Sequence, residues 1–71
     1  MFQPNAQQIK ILELLIMGFS NKSIAKARKI TVATVEYHLR RMFLATQTHN
    51  RVQLAIWWLE NRDRPLRQFA G

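Results

Sequence analysis

The sequence predicts an all-α fold, one small domain of four helices, on three observations. Apolar residues recur at helical spacing in four separate stretches. Each stretch is preceded by a residue suited to cap a helix: Asn5, Ser20, Thr31 and Asn50 in turn. A length of 71 residues leaves room for one domain, expected over 1–62, with a short tail over 63–71 that contains Pro65.

Asn5, with Gln8 three positions later, has the spacing of a capping box, so a first helix is predicted over 6–17. Ile9, Ile11, Leu12, Leu14, Leu15 and Ile16 cover one broad face of it. Gly18 follows, free of the Cβ that makes the left-handed, helix-ending conformation costly. Phe19 packs back, and Ser20 caps a second helix over 21–28 that turns Ile24 and Ala25 inward and Lys22, Lys26 and Lys29 outward.

Thr31, with Thr34 at the third helical position, starts a third helix over 32–45. At about 100° per residue, Val32, Val35, Leu39, Met42 and Phe43 share one arc, the expected core side. Ala33, Thr34, Tyr37, Arg40, Arg41 and Leu44 lie opposite. A face mixing Thr, Tyr and two Arg can reach both phosphates and base edges. A short helix, a tight turn and a longer helix make a helix-turn-helix.

The stretch 46–50 holds no apolar residue, and Asn50 with Gln53 repeats the cap spacing, which predicts a fourth helix over 51–62. It is apolar on two sides. Val52, Ala55, Ile56 and Leu59 are assigned to the core, whereas Leu54, Trp57 and Trp58 are assigned to a dimer interface, since aromatic patches mark interfaces.

Eleven Lys plus Arg against four Asp plus Glu give a formal charge of +7, which favours a polyanionic partner, either nucleic acid or an anionic membrane surface. The charges and apolar residues are distributed as in a capped bundle, which argues against a membrane-surface peptide. The longest apolar stretch, 11–19, is interrupted by Glu13 and falls short of the roughly 20 residues a membrane span needs. No export signal opens the chain, so a cytoplasmic location in a bacterium or phage is expected. There is no cysteine, and His38 and His49 lack metal-ligand spacing. Four acids and two glycines assemble no catalytic set and no phosphate loop, so no enzyme, metal or cofactor is expected.

The run Gly18-Phe19-Ser20-Asn21-Lys22-Ser23-Ile24-Ala25, then Ile30-Thr31, Thr34-Val35 and His38-Leu39, resembles the LuxR/FixJ type of bacterial helix-turn-helix domain. Asn50-Arg51-Val52-Gln53 and the aromatic-bearing fourth helix are similar to NarL-like response regulators. The resemblance covers roughly 4–62 and implies a four-helix DNA-binding domain, its third helix in the major groove and its fourth forming a two-fold dimer. The candidate DNA contacts are then Ser20, Asn21, Lys22, Thr31, Ala33, Thr34, Glu36, Tyr37, His38, Arg40 and Arg41.

The chain departs from the family pattern at several positions. Gln8 and Lys10 stand where a Glu is usual, Arg28-Lys29 replace Leu-Gly, and Ala45-Thr46-Gln47-Thr48 replace Lys-Leu-Gly-Val. Without glycine, Lys29 is expected in a strained conformation. Glu36 stands where many relatives carry a Lys aimed at DNA, and a carboxylate near phosphates weakens binding unless it accepts a hydrogen bond, for instance from a cytosine amino group.

The leading reading is a sequence-specific transcription regulator, or the effector domain of one, binding double-stranded DNA as a homodimer on a two-fold-symmetric site. A second reading is an interaction protein that forms a heterodimer with a related regulator through its fourth helix and withholds it from DNA. A third, a domain like region 4 of a sigma factor, does not need a fourth helix with two apolar faces.

Overall fold

Each helix begins at the residue the sequence marks, because its cap supplies the acceptor that the first-turn N–H groups lack. A computed structural model describes residues 2–63 as α1 (Ala6–Ile16), α2 (Asn21–Arg28), α3 (Val32–Thr46) and α4 (Arg51–Asn61). The tail expected over 63–71 lies, Asp63 apart, outside the described residues. Asn5 Oδ1 accepts from the Gln8 N–H at 2.8 Å while Gln8 Oε1 accepts from the Asn5 N–H at 3.0 Å, the reciprocal capping box. Ser20, Thr31 and Asn50 accept from the N–H of Ser23, Thr34 and Gln53. At α4 the return bond is shifted by one residue: Gln53 Oε1 accepts from the N–H of His49, at 2.7 Å.

Three helices end in the same way. After α1, Gly18 takes φ +88°, and the Phe19 N–H reaches back to the Leu14 carbonyl at 3.1 Å. After α2, Lys29 is left-handed at φ +57° and the Ile30 N–H reaches Ala25 O at 3.0 Å. After α3, Gln47 is left-handed at φ +58° and the Thr48 N–H reaches Phe43 O at 3.1 Å. A left-handed residue followed by this six-to-one bond satisfies the orphan carbonyls of each last turn. Lys29 thus takes the left-handed conformation in which strain is expected of a residue with a Cβ, and Gln47 does the same where the family pattern has glycine.

The core draws on all four helices: Ile11, Leu12 and Leu15, then Ile24 and Ala25, then Val35, Leu39 and Met42, and finally Leu54 and Trp58. Helix α2 packs on α3 and α1 on α4, and α1 touches α2 as α3 touches α4. Val32 was expected inside but is 37% exposed, and Phe43 is half-buried at the edge of the core.

The two faces of α4 are the reverse of the sequence-based expectation. Leu54 and Trp58 are 0% and 7% exposed and Trp57 is half-buried, so the stripe assigned to a dimer faces the domain's own core. Of the four residues assigned inward, Val52, Ile56 and Leu59 are exposed, and Ala55, half-buried, packs against the core as expected. The physical reason is size and polarity together. The indole rings have the larger area to bury, and the Trp58 N–H finds a carboxylate, Glu13 Oε2, at 2.6 Å across the α1–α4 contact. Trp57 stacks on Trp58 with centroids 6.4 Å apart and meets the Phe2 ring at 5.9 Å.

Candidate nucleic-acid interface

With Val35, Leu39 and Met42 held in the core, the opposite side of α3 is necessarily turned to solvent. Ala33, Tyr37, Arg40, Arg41 and Leu44 are all exposed there, within an arc of roughly 120°. Tyr37, near its middle, is 51% exposed, and the Arg41 guanidinium lies 5.6 Å from the centroid of its ring. One turn apart, the two side chains support each other by a cation–π contact, which limits the rotamers Arg41 must give up on binding. Leu44, 78% exposed, extends the same face by a further turn.

Two recesses flank α3. One is lined by Asn21, Glu36, Leu39, Arg40, Phe43 and Arg51, so the start of α2, one flank of α3 and the start of α4 meet there. Arg51 fastens this corner by donating to Asn21 Oδ1 and, from Nη2, to the Phe19 carbonyl at 2.7 Å. Asn21, singled out as a DNA contact, thus has its oxygen committed to positioning α2 and keeps its amide N–H groups. The role of Arg51 was missed by sequence reasoning. Its only signal was a long donor at the head of a helix.

The other recess, on the far flank, is bordered by Asn5, Gln8, Tyr37, His38 and Arg41. His38 is half-buried, edge-on to Tyr37 at 5.5 Å, with Nδ1 buried and without a hydrogen-bond partner among the described residues. It supports the flank of the helix more than it presents a group to solvent.

The remaining singled-out residues lie at the two helix starts. Ser20 and Thr31 are exposed caps, and the half-buried Thr34 shares its hydroxyl with that of Thr31 at 2.9 Å. Lys22 is exposed on the first turn of α2. Arg28, by contrast, ties α2 to α1 by donating from Nε to Gln7 Oε1 at 2.9 Å. Among the described residues no His, Cys, Asp and Glu cluster could hold a metal ion, and no helix is long and apolar enough to cross a membrane.

The sequence that builds this arrangement, a capped short helix beside a longer one whose outer face carries two arginines, matches a known family. The pattern of the bacterial regulatory proteins of the luxR family matches residues 6–58. The chain belongs to that family. It is 38% identical over 60 residues to a probable transcriptional regulator, ycf29, of Cyanophora paradoxa, covering 84% of this chain and 28% of that protein. Over 52 residues it is 36% identical to the nitrate/nitrite response regulator protein NarL of Escherichia coli, covering 73% of this chain and 24% of NarL. It is also 36% identical over 62 residues to the monoamine regulon transcriptional regulator of Klebsiella aerogenes, covering 86% of this chain and 27% of that regulator. The luxR-family chain thus spans about a quarter of the length of these relatives. Its four helices and helix-turn-helix are those expected from the sequence.

Proposed function

We infer that this luxR-family domain binds double-stranded DNA as a transcription regulator, with α3 in the major groove. The observation that carries the reading is the outer face of α3, where Ala33, Tyr37, Arg40 and Arg41 are exposed side by side. Arginine forks to guanine O6 and N7, and a small residue such as Ala33 lets the helix approach thymine methyl groups. Ser20, Lys22 and Thr31 at the flanking helix starts are suited to phosphate oxygens. Lys26 and Lys29 add positive charge nearby.

The domain acts as a two-fold dimer through α4. Support comes from Val52, Ile56 and Leu59, which lie one turn apart and are 68%, 50% and 49% exposed, an apolar stripe left uncovered among the described residues. Two copies joined there would present two reading helices to two half-sites.

Selection of bound duplexes from a random pool, at a fixed salt concentration, tests the reading. A two-fold-symmetric motif is the expected result. Weak, sequence-blind binding would instead favour pairing with a related regulator through α4 as the main activity.

A further inference from the structure

Between Ser20 and Gln47 the chain carries six basic residues and one acid, Glu36. The other acidic side chains lie elsewhere, on α1, on α4 and just beyond it. Glu36 is exposed and, among the described residues, in no ion pair. Two arginines border the same recess, yet Arg51 is occupied by Asn21 and Phe19, and Arg40, one turn along, does not close on the carboxylate. An uncompensated carboxylate on the outer flank of a DNA-facing helix repels phosphates and lowers affinity for every sequence. It becomes favourable only opposite a hydrogen-bond donor.

The major groove offers few such donors. Guanine shows two acceptors, thymine an acceptor and a methyl group, and adenine an amino group beside the N7 acceptor, which repels a carboxylate. Cytosine alone shows an amino donor with no acceptor on the same base. Arg40, with donors only, has the opposite preference and selects guanine O6 and N7. Residues 36 and 40 are separated by about 6 Å of helix rise, against about 3.4 Å per base pair. Their heads therefore fall on neighbouring or next-but-one base pairs.

We propose that Glu36 and Arg40 form a paired reader that selects a cytosine and, within two base pairs of it, a guanine in each half-site. The pairing rests on the DNA-binding reading above and names what that face recognises. Glu36 supplies discrimination at the expense of general affinity, and Arg40 supplies both.

The test compares the motifs selected by the wild-type chain, Glu36→Gln and Glu36→Ala, with affinities measured by fluorescence anisotropy at one salt concentration. In the wild type, replacing the selected cytosine pair with thymine–adenine lowers affinity about 5- to 150-fold. Glu36→Gln shifts the preference at that single position to adenine, whose N6 and N7 match an amide. Glu36→Ala abolishes the preference there, leaves the rest of the motif unchanged and binds unrelated duplex more tightly. A structural role for the carboxylate would produce none of these position-specific changes. A selected motif that is identical in all three proteins overturns the paired reader while leaving the DNA-binding reading intact. The absence of any motif in the wild type overturns both.

Discussion

The Trp58 indole N–H donates to the Glu13 carboxylate at 2.6 Å, joining the middle of α4 to the outer edge of α1. Arg62, which caps the end of α4, approaches the same carboxylate at 3.2 Å, so one acid holds Trp58 and the residue a turn further on. This contact fixes the rotation of α4, and with it the stripe that is left for solvent. Trp58→Phe keeps most of the buried ring but leaves the acceptor without its buried donor. A loss of about 1 to 2 kcal/mol is expected in urea unfolding, since hydrogen bonds to charged groups run somewhat above neutral ones. Against the roughly 3 to 5 kcal/mol available to a domain of this size, that is a large share. Arg62→Ala, removing an exposed pair, should change stability by less than about 0.5 kcal/mol.

Lys29 and Gln47 occupy left-handed backbone at φ +57° and +58° in the two helix ends where the family pattern has glycine. A residue with a Cβ pays roughly 1 to 2 kcal/mol there, offset by the roughly 0.4 to 1 kcal/mol that glycine adds to the freedom of the unfolded chain. Lys29→Gly and Gln47→Gly should each stabilise the domain by about 0.5 to 1 kcal/mol, read as a raised urea midpoint at unchanged slope. The two sites lie in different turns and share no hydrogen-bond partner, so the gains should add in the double variant. Unchanged or lower midpoints would mean that the left-handed residues are not strained.

Arg40 and Arg41 differ in setting: Arg40 borders the recess shared with Glu36, whereas Arg41 lies over Tyr37. Arg40→Ala should cost about 1 to 3 kcal/mol of specific binding and relax one base pair of the motif. Arg41→Ala, if its guanidinium serves a phosphate, should weaken all sequences alike and lower the salt slope by about one. Tyr37→Ala should reproduce part of the Arg41 effect by removing its support. Binding of all three variants at wild-type strength and slope would remove α3 as the reading helix.

The elements and the outer face of α3 were legible in the sequence because they depend on local chemistry. A cap, its partner three residues on and the glycine or polar residue that ends the helix lie within one or two turns, so Asn5, Gly18, Ser20, Thr31 and Asn50 mark the architecture without tertiary knowledge. The face of α3 follows from a single apolar arc. The rotation of α4 was not legible, because that helix carries two acceptable apolar stripes, Leu54, Trp57 and Trp58 against Val52, Ala55, Ile56 and Leu59. What separates them is the larger area of the indole rings together with a hydrogen bond to a residue 45 positions away. The available signal was that a buried Trp needs an acceptor, and Glu13, the acid interrupting an apolar stretch, could supply it. Arg51 escaped notice for the same reason, its partners lying 30 and 32 positions back along the chain.

The reversed α4 gives the sharpest test of dimerisation, since the inner and outer stripes should respond oppositely to the same chemistry. Ile56 is 50% exposed and Trp58 7%. Ile56→Glu should therefore keep helical content and thermal midpoint close to wild type while shifting sedimentation to the monomer. Trp58→Glu places a charge in the core beside the Glu13 carboxylate and should unfold the domain. On DNA, Ile56→Glu should reduce binding to a two-half-site duplex far more than binding to one half-site, because the linked sites gain from effective concentration that a monomer cannot use. Equal losses on both duplexes, with sedimentation unchanged, would show that the exposed stripe of Val52, Ile56 and Leu59 does not join two copies.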